Sequence, residues 1–160
     1  MTRSTRKIAA VSISILLCLG IGFISSAATR EGIPTWYAGL EKPFFTPPNS
    51  VFGPVWTLLY ILMGWAAGRI WYLGQHHRWG KTALYHFGMQ LVFNGLWSVE
   101  FFGMKNPALG LLVILILWVL IERSVKWFRL IDLFAARLLY PYWAWVTFAT
   151  ALNVGIWWLN

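Results

Sequence analysis

Five long apolar runs, with nearly all the charge collected in the short segments between them, leave this chain few ways to fold. The runs are Ile8–Ala28, Val51–Leu73, Thr82–Phe102, Ala108–Ile121 with a further turn, and Leu133–Leu159. A helix rising 1.5 Å per residue needs about 20 such residues to cross a bilayer core. The expectation is an all-α membrane protein, a bundle of five transmembrane helices near 8–28, 51–73, 82–102, 108–125 and 133–159. The 160 residues make a single domain.

Composition agrees with this. At 59% hydrophobic and 11% charged residues the chain is too apolar for an ordinary soluble domain. Its 12 tryptophans and 11 phenylalanines suit a protein with wide lipid–water interfaces. A formal charge of +8 does not point to nucleic acid, because the basic residues sit at the ends of apolar runs and form no binding face. MTRSTRK followed by an apolar run resembles a secretory signal, but the run exceeds the roughly 7–15 residues of a signal core, and a retained first helix is expected. Cys18 is the single cysteine, so there is no intrachain disulfide.

With the N-terminus inside, ten Lys and Arg fall on inner segments and three, Arg30, Lys42 and Lys105, on outer ones. The positive-inside rule then places the N-terminus in the cytoplasm and the C-terminus outside. The segment KPFFTPPNSVFGP, with four prolines, is an outer loop of set shape.

Depth brings several side chains together. The third run carries His86, Gln90, Asn94 and Ser98 at four-residue spacing, bordered by Trp97. Such groups are costly in hydrocarbon and either bond across helices or face a cavity. The fifth run repeats the pattern with Arg137, Pro141, Trp145, Ala149 and Asn153, and Pro141 should kink it. The second run brings Trp56 and Tyr60 to the same outer level. Aromatic walls with a few polar groups suit a flat, largely apolar ligand. No mid-membrane carboxylate pair, HExxH or CxxC spacing occurs, so neither a metal nor a cofactor is expected. Glu100 is placed to pair with Lys105. Gly64 and Gly68 form a GxxxG spacing best read as packing within the chain.

WYAGLEKP (36–43), PPNSVFGPVWTLLYILMG (47–64), QLVFNGLWS (90–98) and PYWAWVTFATALN (141–153) resemble the TspO/MBR family of tryptophan-rich sensory and translocator proteins. The resemblance runs from the first helix to the end of the chain. It implies a five-helix bacterial membrane protein, dimeric, with a pocket closed by the loop after helix one. It also implies ligands such as protoporphyrin IX and isoquinoline carboxamides. Some bacterial members degrade protoporphyrin in light, and by motif position the tryptophans required there are Trp56 and Trp145. The family's ligand contacts carry over onto Tyr37, Pro47, Asn94, Trp97, Ser98 and Ala149, beside Trp56, Tyr60, Trp145 and Asn153 from depth and spacing. Phe45 stands where the family often has Trp, and the sterol-recognition pattern of the animal proteins is absent after the last helix.

Three functions are expected. The first is a membrane-embedded porphyrin-binding sensor or translocator, working as a homodimer in the cell membrane. The second is a light-dependent porphyrin-degrading enzyme using Trp56 and Trp145. The third is a structural or assembly partner whose pocket is only packing.

Overall fold

A computed structural model describes residues 1–160. The protein is all-helical, with no strand. In order come α1 (Arg3–Gly32), a short 3-10 turn (Tyr37–Gly39), α2 (Asn49–Gly74), α3 (Gly80–Ser98), a π turn (Val99–Gly103), α4 (Pro107–Arg129), the short α5 (Leu133–Leu138) and α6 (Tyr140–Leu159). Three helices, α1, α2 and α4, are long and apolar enough to cross a membrane. In α3 the buried amides and hydroxyl of Gln90, Asn94 and Ser98 replace aliphatic residues. In α6 much of the apolar content is Trp and Tyr.

The closest helix pair is α1 against α2, running antiparallel. A Cβ on Gly64 would lie inside the contact radius of the Ile15 backbone, and one on Gly68 would do the same at Val11. The GxxxG spacing is therefore used within the chain, letting two backbones approach where any side chain would hold them apart. Further along the same seam Gly22 makes room for the Tyr60 ring, which would sit 2.5 Å from a Cβ there.

Two helix ends depart from a simple five-run reading. The last run breaks at Leu139, because Pro141 has no N–H to give the Arg137 carbonyl. The chain bridges the gap with a tighter bond from Leu139 N to the Ala136 carbonyl, 3.1 Å, and restarts with Pro141 in the first turn of α6. Asp132 caps α5 and also accepts from Arg69 Nε at 2.5 Å, tying α5 to α2. At the far end of α3 the π turn closes with Met104 N on the Val99 carbonyl, 2.8 Å. One extra residue in the turn rotates Phe101 and Phe102 inward, where both are buried.

Glu100 and Lys105 do not pair. The chain turns at Lys105 with φ of 56°, and Glu100 Oε2 is buried without a partner.

Candidate functional site

At the end of the bundle where α1 finishes and α2 begins, the helices enclose a cavity of about 630 Å³. That lies in the range of small-molecule sites, about 300–1,000 Å³. Its walls come from the second half of α1, the first three turns of α2, the end of α3 with its π turn, and the middle and end of α6. Neither α4 nor α5 reaches it.

The aromatic lining falls into two groups of rings. Trp56 stands one turn from Tyr60, ring centroids 5.8 Å apart, and 6.3 Å from both Trp97 and Tyr142. Trp97 stacks on Phe101 at 5.6 Å. From α6, Trp145 meets Phe52 of α2 edge-on at 6.2 Å and Phe148 at 5.4 Å. Ala149, one turn on from Trp145, is buried and leaves the space open.

The polar stripe of α3 is committed to other helices. Tyr60 donates its hydroxyl to Asn94 Oδ1, while Asn94 Nδ2 donates to Tyr142 Oη at 2.9 Å. Tyr142 donates in turn to Gln90 Oε1 at 2.7 Å. Ser98 donates to the Ser25 carbonyl at 2.9 Å and shares a 2.7 Å bond with Thr29. Asn153 accepts from Trp97 Nε1 at 3.1 Å and donates to the Pro107 carbonyl at 2.8 Å. Asn94 and Asn153 thus have protein partners at both ends of the amide, and the network fixes the ring planes around the cavity. Trp145 differs. Its Nε1–H is buried within the protein and has no hydrogen-bond partner, although the residue itself lines the cavity.

The loop after α1 divides in two. Tyr37 is buried at the cavity's end, its ring 6.5 Å from Phe101 and 5.7 Å from Phe102, with Lys42 Nζ 4.8 Å over its face. Burial pushes the Tyr37 phenol above its ordinary value, keeping it neutral. Beyond it the loop lies along α6. Pro43 fills the notch at Gly155, Phe45 meets Phe148 at 6.1 Å, and Asn160 bonds the Glu41 backbone at both N–H and carbonyl.

Nine residues singled out from the sequence line the cavity: Tyr37, Trp56, Tyr60, Asn94, Trp97, Ser98, Trp145, Ala149 and Asn153. Pro47 does not; it leads into α2. His86 lies well away, bonded to the Thr82 carbonyl and beside Trp127. Arg137 and Pro141 are exposed. Steps of four residues drift about 40° each around a helix of 3.6 residues per turn, so a stripe from Arg137 to Asn153 turns away from its start. Sequence reasoning misses Tyr142, the centre of the network, and the whole α1 wall. Gly22, Ser25 and Thr29 recur at three- to four-residue spacing, a small-residue face that marks close packing.

A helical bundle with long apolar helices around an aromatic-walled internal cavity defines an integral membrane protein of the α-helical class. The chain belongs to the TspO/MBR family, whose sequence profile matches residues 14–159. It is 45% identical to the tryptophan-rich protein TspO of Archaeoglobus fulgidus over 148 residues, covering 92% of this chain and 94% of the relative. The protein of the same name from Chlorobaculum tepidum is 37% identical over 155 residues, 97% of this chain and 98% of its own. The pig translocator protein is 37% identical over 150 residues, 92% of this chain and 88% of its own.

Proposed function

We propose that this protein binds flat, largely apolar tetrapyrroles of the protoporphyrin IX class inside the membrane and acts as a sensor or translocator for them. The observation that carries this reading is the aromatic cavity, lined by Trp56, Trp97 and Trp145 around space left by Ala149. Such rings stack on a planar ligand with about 0.5–1.5 kcal/mol per pair beyond burial. Relatives named as a tryptophan-rich sensory protein and as translocator proteins support the functional class. Isoquinoline carboxamide-type ligands fit the same walls.

In this reading all five long helical runs cross the membrane, with α5 and α6 forming the fifth. The N-terminus is cytoplasmic, the C-terminus lies outside, and the cavity opens in the outer half. The segment from Ile33 to Pro48 is the lid. Its prolines and its docking on Gly155 and Asn160 lower the entropy of closing over a ligand. The working unit is a homodimer that uses a face other than Gly64 and Gly68, which are spent on α1.

The test is a titration in the dark of purified protein in non-ionic detergent with protoporphyrin IX, followed by tryptophan quenching. Saturable binding at micromolar concentration or tighter, about −8 kcal/mol, that weakens in folded Trp145→Phe supports the reading. Quenching that never saturates and is equal in both proteins means detergent partitioning and refutes it. A second reading, oxidation of the bound porphyrin by dioxygen in light, is favoured by the close rings of Trp56, Trp97 and Phe101. It requires saturable bleaching that stops without dioxygen and is lost in Trp145→Phe.

A further inference from the structure

Protoporphyrin IX carries two propionate groups, and the aromatic walls do not fix where they lie. One residue at the cavity rim bears on that. Among the residues that line the cavity, Arg30 is the single formal charge; no Asp, Glu or Lys joins it. Both ion pairs of the protein lie elsewhere, Arg69 with Asp132 and Arg123 with Glu122. Arg30 therefore reaches the cavity without a carboxylate partner. Its guanidinium lies 5.3 Å over the ring of Phe23, two turns back on the same face of α1 and itself part of the lining. A stack of this kind supports the flat group while leaving its N–H edge free.

Position and inventory point the same way. Arg30 is exposed in the last turn of α1, and Asn49, Phe52 and Gly53 from the first turns of α2 share the lining with it. Several of the other polar side chains of the lining are already bonded within the protein. Asn94, Ser98 and Asn153 bond neighbouring helices, Ser26 bonds the Phe23 carbonyl at 2.7 Å, and Thr57 bonds the Gly53 carbonyl at 2.9 Å. A buried carboxylate would find no cation on those walls and would lose its hydration. At the rim it finds a guanidinium whose fork matches its two oxygens.

We propose that Arg30 is a specificity-determining residue that selects amphiphiles carrying a carboxylate, holding the acid at the rim while the apolar ring system lies between Trp56 and Trp145. The proposal rests on the ligand reading and adds to it selection for the carboxylate and the ligand's orientation. An oxyanion at this rim has two sources, the ligand's acid and a lipid phosphate, and the two respond differently to esterification.

The experiment is a set of dark titrations in non-ionic, lipid-free detergent, with protoporphyrin IX and its dimethyl ester, on wild type, Arg30→Gln and Arg30→Lys. Arg30 is exposed and bonds no other side chain, so the variants should elute as folded protein. The expected result is about tenfold weaker binding of the diacid by Arg30→Gln (about 1.4 kcal/mol), between an exposed ion pair and a buried charge-assisted bond. The ester should be unchanged, and Arg30→Lys should recover part of the loss. Equal losses for acid and ester, or no loss for either, overturn the proposal while leaving the ligand reading intact. If acid and ester are unaffected and added phosphatidylglycerol alters tryptophan fluorescence only when Arg30 is present, the site belongs to lipid phosphate and the proposal fails. If neither porphyrin binds saturably to wild type, the ligand reading fails and the proposal falls with it.

Discussion

Asn94→Ala separates a group that contacts ligand from one that builds the wall. Asn94 is buried and links α3 to α2 through Tyr60 and to α6 through Tyr142. Removing the amide leaves the Tyr60 hydroxyl without an acceptor. Tyr142 loses one donor but keeps its own bond to Gln90. A buried hydroxyl left unpaired costs about 1–3 kcal/mol in a water-soluble protein. Between membrane helices the average is nearer 0.6 kcal/mol and the maximum about 1.7, because the unfolded chain in the membrane also finds partners. One fully orphaned and one partly orphaned group then give about 1–2 kcal/mol. The assay is reversible unfolding in mixed micelles, with the double-mutant cycle Asn94→Ala and Tyr60→Phe isolating the shared bond. A coupling of about 0.5–1.5 kcal/mol is expected, together with a smaller effect on porphyrin affinity than Trp145→Phe produces. Stability within about 0.5 kcal/mol of wild type, the range of substitutions that touch nothing, combined with a large loss of affinity, would refute the reasoning and make Asn94 a ligand contact.

Gly64→Leu should abolish the folded monodisperse protein on size exclusion, since its Cβ already meets the Ile15 backbone; Gly20→Leu, with nothing within 4 Å, should elute normally. Gly155→Leu should push Pro43 off α6 and speed porphyrin dissociation several-fold in stopped flow, with the bundle's melting temperature little changed. Because burial raises the Tyr37 pKa, the folded state holds that proton more tightly than the unfolded chain. The associated stability is intact below the ordinary tyrosine value of 10.0 and declines as pH rises above it. Thermal melts at about pH 9 and pH 11, on either side of that value, should show this alkaline loss in wild type and less of it in Tyr37→Phe.

Periodicity and depth place Trp56, Tyr60, Asn94, Trp97 and Trp145 around one space, because their residue types are expensive or conspicuous in an apolar helix. Direction is the part the sequence hides. A row of i, i+4 positions on α6 correctly names Ala149 and Asn153, but it also includes the exposed Pro141 and passes over the buried Tyr142, Val146 and Ile156. The break at Leu139 follows from Pro141, which the sequence marks, whereas the π turn at Val99–Gly103 rotates the residues C-terminal to it and does not show in a hydrophobic pattern. Most of the α1 wall escapes sequence reasoning because Gly22, Ser25, Ser26 and Thr29 are small glycine and hydroxyl residues, whose value lies in the close approach they allow. Glu100 and Lys105 are close in sequence, yet the left-handed turn at Lys105 keeps them from pairing.

The central claim, that ligand occupies this cavity, is tested most directly by filling it. Ala149 is buried at the wall beside Trp145 and faces open volume, so Ala149→Trp has about 630 Å³ to enter without displacing backbone. The expected variant elutes and melts like wild type yet has lost protoporphyrin IX binding by at least about 100-fold, or about 2.7 kcal/mol. A folded Ala149→Trp that binds protoporphyrin IX with wild-type affinity would contradict the claim and place the ligand elsewhere on the protein.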